Sequence, residues 1–300
     1  MAQPKHETIT VDGRATRLLR GGKRGAPVVL FLHGGTPGVS PYCGGAHLWG
    51  AGLDLFAAER EVIALDLPGS GGTALSGVPT VDGMGRHLLA VLDSLGLARC
   101  HLVGQDLGAM VGLWAALERP AALLSLSVVA SRMAAPMGDS LDTLVLRDPP
   151  PPLWSRASQQ WAFEQLSYSH LHVDDALLDA SVAASDGAPH RAAVTAMGED
   201  RTRAFAASLA RTKARLWEIC RGKGLMAPTQ LVWSSHDPAT RPEEGYALFA
   251  AIALRQPAAQ FHLVNRAGSF PFREQAREFH QIVAAFQDGC VDEATRKAPA

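Results

Sequence analysis

The spacing of apolar residues changes from one segment of this chain to the next. Near the start, apolar and polar residues alternate over residues 7–11 and 15–19, and Asp12-Gly13 lies between these two runs. Alternation with a period of two indicates strands with one buried face, and an Asp-Gly pair favours a tight hairpin turn. The chain is therefore predicted to open with an antiparallel hairpin.

Short, continuous apolar runs follow the hairpin. Such runs indicate strands that are buried on both faces, as in a parallel sheet. Between most of them, apolar residues recur every three or four positions, which predicts amphipathic helices. The strand runs cover residues 27–32, 61–65, 100–103, 123–130, 229–233 and 260–264, and the helical segments cover residues 84–95, 109–117, 243–253 and 273–286. This alternation predicts an α/β fold with a doubly wound, mostly parallel sheet flanked by helices.

The alternation of strand and helix stops between about residues 132 and 223. This stretch has a run of four prolines at residues 149–152 and then helical patterns that carry many aromatic residues. It is too long for a simple loop, so we expect a helical cap inserted over the sheet. The predicted core then comprises residues 1–131 and 224–288, and the polar residues 289–300 are expected to form a flexible tail.

Composition narrows the range of partners. The chain has 300 residues, of which 47% are hydrophobic, and its 28 Lys and Arg against 29 Asp and Glu give a net charge of -1. A chain of this length buries a large core. A net charge so close to zero provides no field that would attract nucleic acid or an anionic membrane. The expected partner is a small molecule, and a homodimer is compatible with this composition.

The N-terminus and the cysteines bear on location and cofactors. Residues 1–7 are polar, and no apolar run follows that resembles a signal peptide or a membrane span. We therefore expect a cytoplasmic protein. The four cysteines, Cys43, Cys100, Cys220 and Cys290, are far apart and form no C-x-x-C pair. They are expected to be reduced thiols, and neither a metal nor a cofactor is expected.

One segment combines a strand, a sharp turn and a helix. In the run Val103-Gly104-Gln105-Asp106-Leu107-Gly108, glycines stand two places before and after Asp106. Such spacing is typical of a nucleophile elbow, in which a strained central residue exposes its side chain at the edge of the sheet. The alternative is an ordinary turn in which the aspartate only caps the helix. The two interpretations are equally compatible with this segment taken alone.

Two further glycine-rich segments leave neighbouring strands and change that balance. They are His33-Gly34-Gly35-Thr36-Pro37-Gly38 and Asp66-Leu67-Pro68-Gly69-Ser70-Gly71. With the elbow, they resemble the α/β-hydrolase superfamily, whose members typically show H-G-G, D-x-P-G-x-G and the elbow in this order. The resemblance implies an oxyanion hole formed by the backbone N–H groups of Gly35, Thr36 and Leu107.

The resemblance within that superfamily is mixed. The segment from His33 to Ser40 is similar to the oxyanion loop of meta-cleavage C–C bond hydrolases, which carry serine at the elbow. An elbow aspartate is instead similar to haloalkane dehalogenases, fluoroacetate dehalogenases and epoxide hydrolases, in which the carboxylate attacks carbon and forms an ester. The next residue in those families is usually tryptophan or arginine, and here it is Leu107. Asp106 is accordingly the predicted reactive carboxylate.

The remaining positions of the implied catalytic triad follow late strands. Asp237, in Trp233-Ser234-Ser235-His236-Asp237-Pro238, matches the acid that orients a histidine. The segment in which the superfamily usually keeps that histidine has Ser269 in its place. His33 and His236 are the histidines that could substitute for it. The alternatives are a ring of His33 that bonds only to the backbone and a His236 exposed on a loop.

Other residues complete the predicted site and leave three functions open. Gly34, Gln105 and Phe270 adjoin the motifs, and the cap aromatics Trp154, Trp161 and Tyr168 are candidates to line a pocket. The first function is hydrolysis of a small apolar or aromatic substrate with Asp106 as the reactive group. The second is a lyase, isomerase or cyclase reaction in which Asp106 moves a proton. The third is binding of a ligand without catalysis.

Overall fold

The predicted strands form one sheet in the computed structural model, which describes residues 3–136, 146–198 and 202–296. The strands are β1 (Lys5–Val11), β2 (Arg14–Gly22), β3 (Val28–Leu32), β4 (Glu61–Leu65), β5 (Cys100–Gln105), β6 (Leu123–Val129), β7 (Thr229–Ser234) and β8 (Gln260–Val264). Their order in the sheet is β1-β2-β4-β3-β5-β6-β7-β8. The pairs β1-β2 and β2-β4 are antiparallel, and the remaining pairs are parallel. The predicted α/β fold is confirmed.

Helices cover both faces of this sheet. They are α1 (Gly52–Ala57), α2 (Val81–Ser94), α3 (Leu107–Glu118), α4 (Arg156–Gln165), α5 (Asp175–Ser185), α6 (Ala188–Ala196), α7 (Thr202–Arg221), α8 (Pro242–Ala253), α9 (Pro271–Glu274) and α10 (Ala276–Arg296). Along β3, Leu30 and Leu32 join one buried apolar cluster, whereas Val29 and Phe31 join the other. Both faces of the central strands are therefore buried, which explains their continuous apolar sequences. None of the described helices is long and apolar enough to cross a membrane.

The helices between β6 and β7 separate into two groups. Helix α7 packs against α2 and α3 and contributes Leu216 and Cys220 to their apolar cluster. Ser208 on α7 also donates a hydrogen bond to Asp82 on α2. Helices α4 and α5 instead pack against each other and contribute to the cluster on the opposite side of the sheet. Residues 137–145 and 199–201 of the predicted cap lie outside the described residues.

The C-terminal helix runs further than the sequence indicates. Helix α10 continues to Arg296, beyond residue 289, where a flexible tail is expected. The physical reason is packing: Phe286 and Cys290 are both buried on its inner face. All four cysteines are buried, Cys290 included, and they form no disulfide bond with one another.

The turn between β5 and α3 depends on its glycines. A Cβ at Gly108 would lie 2.2 Å from the carbonyl oxygen of Leu32 and 2.7 Å from that of His33. A Cβ at Gly104 would lie 2.5 Å from the carbonyl oxygen of Gly108. These neighbours are backbone atoms of the sheet and the turn, so they cannot move aside cheaply. The two glycines thus let α3 approach β3 and fix the position of the turn.

We expect Gly108→Ala to lower the free energy of unfolding by about 1–3 kcal/mol, the usual cost of overpacking. Gly289→Ala is the matched control, because a Cβ there meets no atom within 4 Å and alanine is the better helix former. Urea unfolding midpoints of the two variants and the parent measure the difference. A Gly108→Ala midpoint at or above that of the parent would contradict the tight packing of this turn.

Candidate active site

Asp106 stands at the tip of the turn between β5 and α3. Its backbone has φ 45° and ψ −109°, a conformation that residues other than glycine rarely adopt. Three hydrogen bonds hold it there: its N–H donates to Val129, and its carbonyl accepts from Ser131 Oγ and from Met110 N–H. The side chain makes no capping hydrogen bond to α3. The geometry therefore matches an elbow and not an ordinary capped turn.

The glycine loop after β3 lies directly beside this tip. A Cβ at Gly34 would lie 2.0 Å from Gln105 Oε1 and 2.9 Å from Asp106 Cβ, so only glycine fits. His33 anchors the loop: Leu67 N–H donates to its Nε2 at 3.0 Å, and its Nδ1 bonds the Gly34 carbonyl at 2.8 Å. Burial lowers the pKa of His33, which favours the neutral ring. Both ring nitrogens of His33 are thus engaged in anchoring the loop.

The predicted oxyanion donors differ in their partners. The N–H of Thr36 donates to Ser40 Oγ at 2.9 Å within the same loop. Gly35 has φ +84°, and Leu107 is the first residue of α3, where helical N–H groups lack intrahelical acceptors. Gly35 and Leu107 thus remain the candidate donors to a developing negative charge, whereas Thr36 shapes the loop.

Asp237 and Ser269 are joined by a hydrogen bond, as the acid and the histidine are in the usual triad. Ser269 Oγ donates to Asp237 Oδ1 at 2.6 Å, and the same oxygen accepts from the N–H groups of Ala239 at 2.9 Å and Thr240 at 3.2 Å. Both side chains are buried. Asp237 Oδ2 is also buried and accepts no hydrogen bond from the residues that the structure describes.

Burial raises the pKa of Asp237 from its ordinary value of 3.8 to about 7. The hydrogen bonds from Ser269, Ala239 and Thr240 oppose this rise, and the negative charge of Asp106 adds to it. The two carboxyl groups are thus coupled, and Asp237 can exchange a proton near neutral pH.

Gln105 approaches the same point from the end of β5. It is 2% exposed, and its Nε2 donates to the carbonyl oxygen of Ser269 at 3.4 Å. Its Oε1 is buried and accepts no hydrogen bond from any described residue. The amide of Gln105 therefore lies next to Ser269 with a free acceptor.

A cavity of about 300 Å³ brings these groups together. Asp106, Gln105, Thr36 and Ser269 line it, along with Arg132. Most of its remaining wall is apolar: Val39, Pro41, Tyr42, Met133, Leu146 and Leu166. No histidine is among the described residues that line it. The cavity has the size of a small-molecule site, and its wall combines apolar side chains with a few polar groups.

Several predicted site residues lie elsewhere. His236 is exposed, and its ring lies 4.5 Å from the ring of Tyr168, which is itself 47% exposed. Trp154 donates through Nε1 to the carbonyl oxygen of Ser40, and Trp161 packs against the apolar cluster. Phe270 is fully buried. None of the five is among the described residues that line the cavity, because their side chains fill contacts around it or face solvent.

A larger concavity, of about 520 Å³, lies away from Asp106. Arg273 lines it, but its guanidinium is already engaged by the Leu48 and His172 carbonyls and by Asp174. Size alone would select this groove. The smaller cavity is the better candidate because the strained aspartate and residues of the glycine loop line it, and because Ser269 in its wall donates to the buried Asp237.

Several cavity residues carry no motif that would identify them, among them Ser40, Tyr42, Met133 and Thr240. They share one property: each follows the carboxyl end of a strand, β3, β6 or β7. Ligands of open α/β sheets bind at that edge, so chain position after these strands is the signal that could have identified them.

Glu274 lies in the same sequence segment as Ser269, but the sequence predicts no role for it. Its Oε1 accepts from Gly268 N–H at 2.8 Å, and its Oε2 accepts from the N–H groups of Tyr168 and Ser169, both at 2.9 Å. It therefore joins the loop of Ser269 to the segment that follows α4, and so fixes Ser269 at the cavity wall.

Comparison with known proteins agrees with this geometry. A family model described as the alpha/beta hydrolase family matches residues 29–282. A 2-hydroxy-6-oxononadienedioate/2-hydroxy-6-oxononatrienedioate hydrolase of Cupriavidus pinatubonensis is 27% identical over 273 residues, 87% of each chain. The acetyltransferase component of the acetoin cleaving system of Pseudomonas putida is 38% identical over 130 residues, and this match spans 43% of this chain and 33% of that one.

Among solved structures, a mutant of the meta-cleavage product hydrolase of Pseudomonas fluorescens IP01, complexed with acetates, superposes with a TM-score of 0.76. It is 22% identical, and the match covers 94% of this chain and 97% of the other. At this level of identity the similarity concerns the fold.

Proposed function

This chain belongs to the alpha/beta hydrolase family, and from that premise we propose that it is a hydrolase in which Asp106 is the reactive carboxylate. Its proposed substrate is a small, mainly apolar or aromatic molecule that fits the cavity between the glycine loop and Ser269. The observation that carries this proposal is the backbone of Asp106, which is held at φ 45° with its side chain on the cavity wall. Strain of this kind costs about 1–3 kcal/mol and persists where a site needs it.

The proposed chemistry begins with attack of an Asp106 oxygen on an electrophilic carbon of the substrate. One C–O bond forms, the bond from that carbon to its leaving group breaks, and the leaving group departs with the electron pair. Water then attacks the carbonyl carbon of the ester, the alcohol departs with one water proton, and Asp106 releases the other proton to solvent and returns to its carboxylate form. Gly35 and Leu107 would donate to the oxyanion of this second step.

The cavity supports a compact, largely apolar substrate. Tyr42, Met133, Leu146 and Leu166 form much of its wall, and its volume is about 300 Å³. The named activity of the Cupriavidus relative concerns a small unsaturated dicarboxylic acid, which Arg132 could hold by one carboxylate. The proposed substrate class therefore includes small molecules with an apolar body and one acidic group.

A second candidate function is a lyase, isomerase or cyclase reaction. The specific observation in its favour is that the described cavity wall contains Asp106 and no histidine, and that the charge of Asp106 acts on the buried carboxyl group of Asp237 behind Ser269. Such a pair can remove a proton at one position and return it at another without consuming water.

A product screen separates these functions. The purified protein is incubated with 1-bromobutane, styrene oxide, 4-nitrophenyl acetate and a meta-cleavage dienone. Release of bromide, diol or acid supports hydrolysis, and an isomeric or cyclised product from the dienone supports the second function. Binding without any product would contradict both and leave a ligand-binding protein.

Met133 offers a test of the cavity as the substrate site. Met133→Ala enlarges the cavity by most of one side chain, so we expect the ratio of kcat/KM for 1-bromohexane to that for 1-bromobutane to rise about tenfold. Met226→Ala is the control, because Met226 is 70% exposed and does not line this cavity. An unchanged ratio in Met133→Ala would place the substrate elsewhere.

A further inference from the structure

The residue in the position of the missing histidine makes the contact that a histidine would make. Ser269 Oγ donates to Asp237 Oδ1 at 2.6 Å, and Ser269 is also part of the cavity wall that contains Asp106. The hydroxyl has one proton to give and lone pairs with which to accept another. Ser269 therefore connects the cavity to a buried carboxyl group that does not itself line it.

Gln105 provides a second, independent observation at the same point. Its amide is held against Ser269 by the bond from Nε2 to the Ser269 carbonyl oxygen, and it too lines the cavity. Its Oε1 is buried and accepts no hydrogen bond from the described residues. This oxygen is packed against the glycine loop, since a Cβ at Gly34 would lie 2.0 Å from it. The side chain of Gln105 is therefore fixed, and its bond holds the backbone of Ser269 at the cavity wall.

We propose that Ser269 and Asp237 form a proton relay that activates the hydrolytic water beside Asp106, and that Gln105 holds Ser269 in position for it. The relay takes the place of the histidine base. It rests on the proposed function, because it acts on the ester that Asp106 forms with the substrate.

Two coupled proton transfers make up the forward direction of the relay. As the water oxygen bonds to the carbonyl carbon of the ester, one water O–H bond breaks and its proton passes to Ser269 Oγ. At the same time the hydroxyl proton of Ser269 passes to Asp237 Oδ1, which becomes neutral. When the tetrahedral intermediate collapses, the departing alkoxide takes a proton back along the same path. Collapse leaves Asp106 as a carboxylic acid, which releases the second water proton to solvent. Ser269 ends as a hydroxyl, and both aspartates end as carboxylates.

The charges around Asp237 favour its ionised form at the step in which it accepts a proton. Burial raises the pKa of Asp237 to about 7, and the negative charge of Asp106 contributes to that rise. Formation of the ester removes the charge of Asp106, so the pKa of Asp237 falls while the intermediate is present. Asp237 thus becomes the ionised base at the stage that needs one.

Variants at Ser269 test the relay through the lifetime of the covalent ester. Each protein is mixed with 1-bromobutane or styrene oxide, and intact-protein mass spectrometry follows the adduct with time. We expect Ser269→Ala to slow ester hydrolysis by about 10²-fold, within the usual contribution of a positioned base, and to accumulate adduct. Ser269→Thr keeps the hydroxyl and is expected to stay within about tenfold of the parent. Ser235→Ala is the control, since Ser235 bonds Asn265 and lies off the cavity.

The pH dependence of the rate of ester hydrolysis distinguishes a proton relay from a purely structural role of Ser269 and Asp237. In the parent, the rate of ester hydrolysis should rise with pH as Asp237 ionises and should level off above neutrality. Asp237→Asn should lose this rise and also accumulate adduct, and it carries the test if Ser269→Ala does not fold.

The outcomes separate the relay from the function on which it rests. Adduct in the parent that decays at the same rate in Ser269→Ala and Asp237→Asn would overturn the relay and leave Asp106 as the nucleophile. Absence of adduct in every variant while either probe is consumed would overturn the proposed function and the relay together. Adduct that persists in Ser269→Ala and Asp237→Asn but not in Ser235→Ala supports both.

Discussion

Asp106→Ala is expected to lower kcat/KM by at least about 10⁴-fold while the protein stays folded. Loss of the nucleophile in a triad hydrolase costs up to about 10⁶-fold, because the remaining groups only stabilise charge and bind substrate. The side chain of Asp106 lines the cavity and makes no cap to α3, so its removal leaves the apolar clusters intact. Kinetics and thermal melting on the same sample measure the two effects.

Asp106→Asn is the more discriminating variant of this residue. The amide keeps the size of the side chain, and asparagine tolerates positive φ at least as well as aspartate. We therefore expect a melting temperature at or above that of the parent and a loss of activity similar to that in Asp106→Ala. The control is Asp54→Asn, an exposed aspartate on α1. Activity within tenfold of the parent in Asp106→Asn would remove its carboxylate from the chemistry.

Asp237→Asn is expected to stabilise the protein at pH 8 by about 4 kcal/mol. The figure follows from a pKa that burial raises from 3.8 to about 7, since each unit corresponds to about 1.4 kcal/mol. Above pH 7 the folded protein must hold an ionised carboxylate in a buried site, whereas asparagine has no charge. The amide oxygen can still accept the bonds from Ser269, Ala239 and Thr240.

The pH dependence of this effect has a definite sign. Between pH 3.8 and about 7 the folded state retains the proton of Asp237 and the unfolded state has lost it. The contribution of Asp237 to stability therefore falls as pH rises through this window. The difference between Asp237→Asn and the parent should be near zero at pH 4 and largest above pH 7. Denaturant unfolding at several pH values measures it, and a difference independent of pH would contradict an ionisable, strained Asp237.

In this site, the groups that are proposed to react do not stabilise the folded protein, and Asp237 lowers its free energy of unfolding. Asp237→Asn should gain stability and lose the hydrolytic step, and Asp106→Asn should lose activity without loss of stability. Natural active sites commonly contain such strained or desolvated groups.

The fold was predictable because the hydrophobic pattern of this chain reports burial directly. Residues 28–32 alternate between the two apolar clusters, so every position of the strand is apolar. The turn of Asp106 was predictable because only glycine fits at positions 104 and 108. The hydrophobic pattern was thus sufficient for the strands, whereas the elbow could be distinguished from a capped turn only with the glycine-rich segments after β3 and β4.

The cavity wall was less predictable because it depends on which side chains turn inward. Trp154 and Trp161 have the size expected of substrate contacts, yet one bonds the Ser40 carbonyl and the other packs on the apolar cluster. Tyr168 and His236 stack on each other at the surface. In the sequence, Ser269 only occupies the position in which the superfamily usually keeps its histidine. Only its contact with Asp237 indicates that it can pass a proton on.

The most direct test of the account is turnover in water labelled with ¹⁸O, followed by mass spectrometry of the peptide that contains Asp106. If Asp106 forms an ester that water opens at its carbonyl carbon, its carboxylate acquires ¹⁸O after repeated turnovers, and the first product molecule carries ¹⁶O from the protein. If Asp106 is the nucleophile, we expect label in Asp106 and none in Asp54 or Asp237. Label that appears only in the product, with Asp106 unlabelled after many turnovers, would show that water attacks the substrate directly and would contradict the central claim.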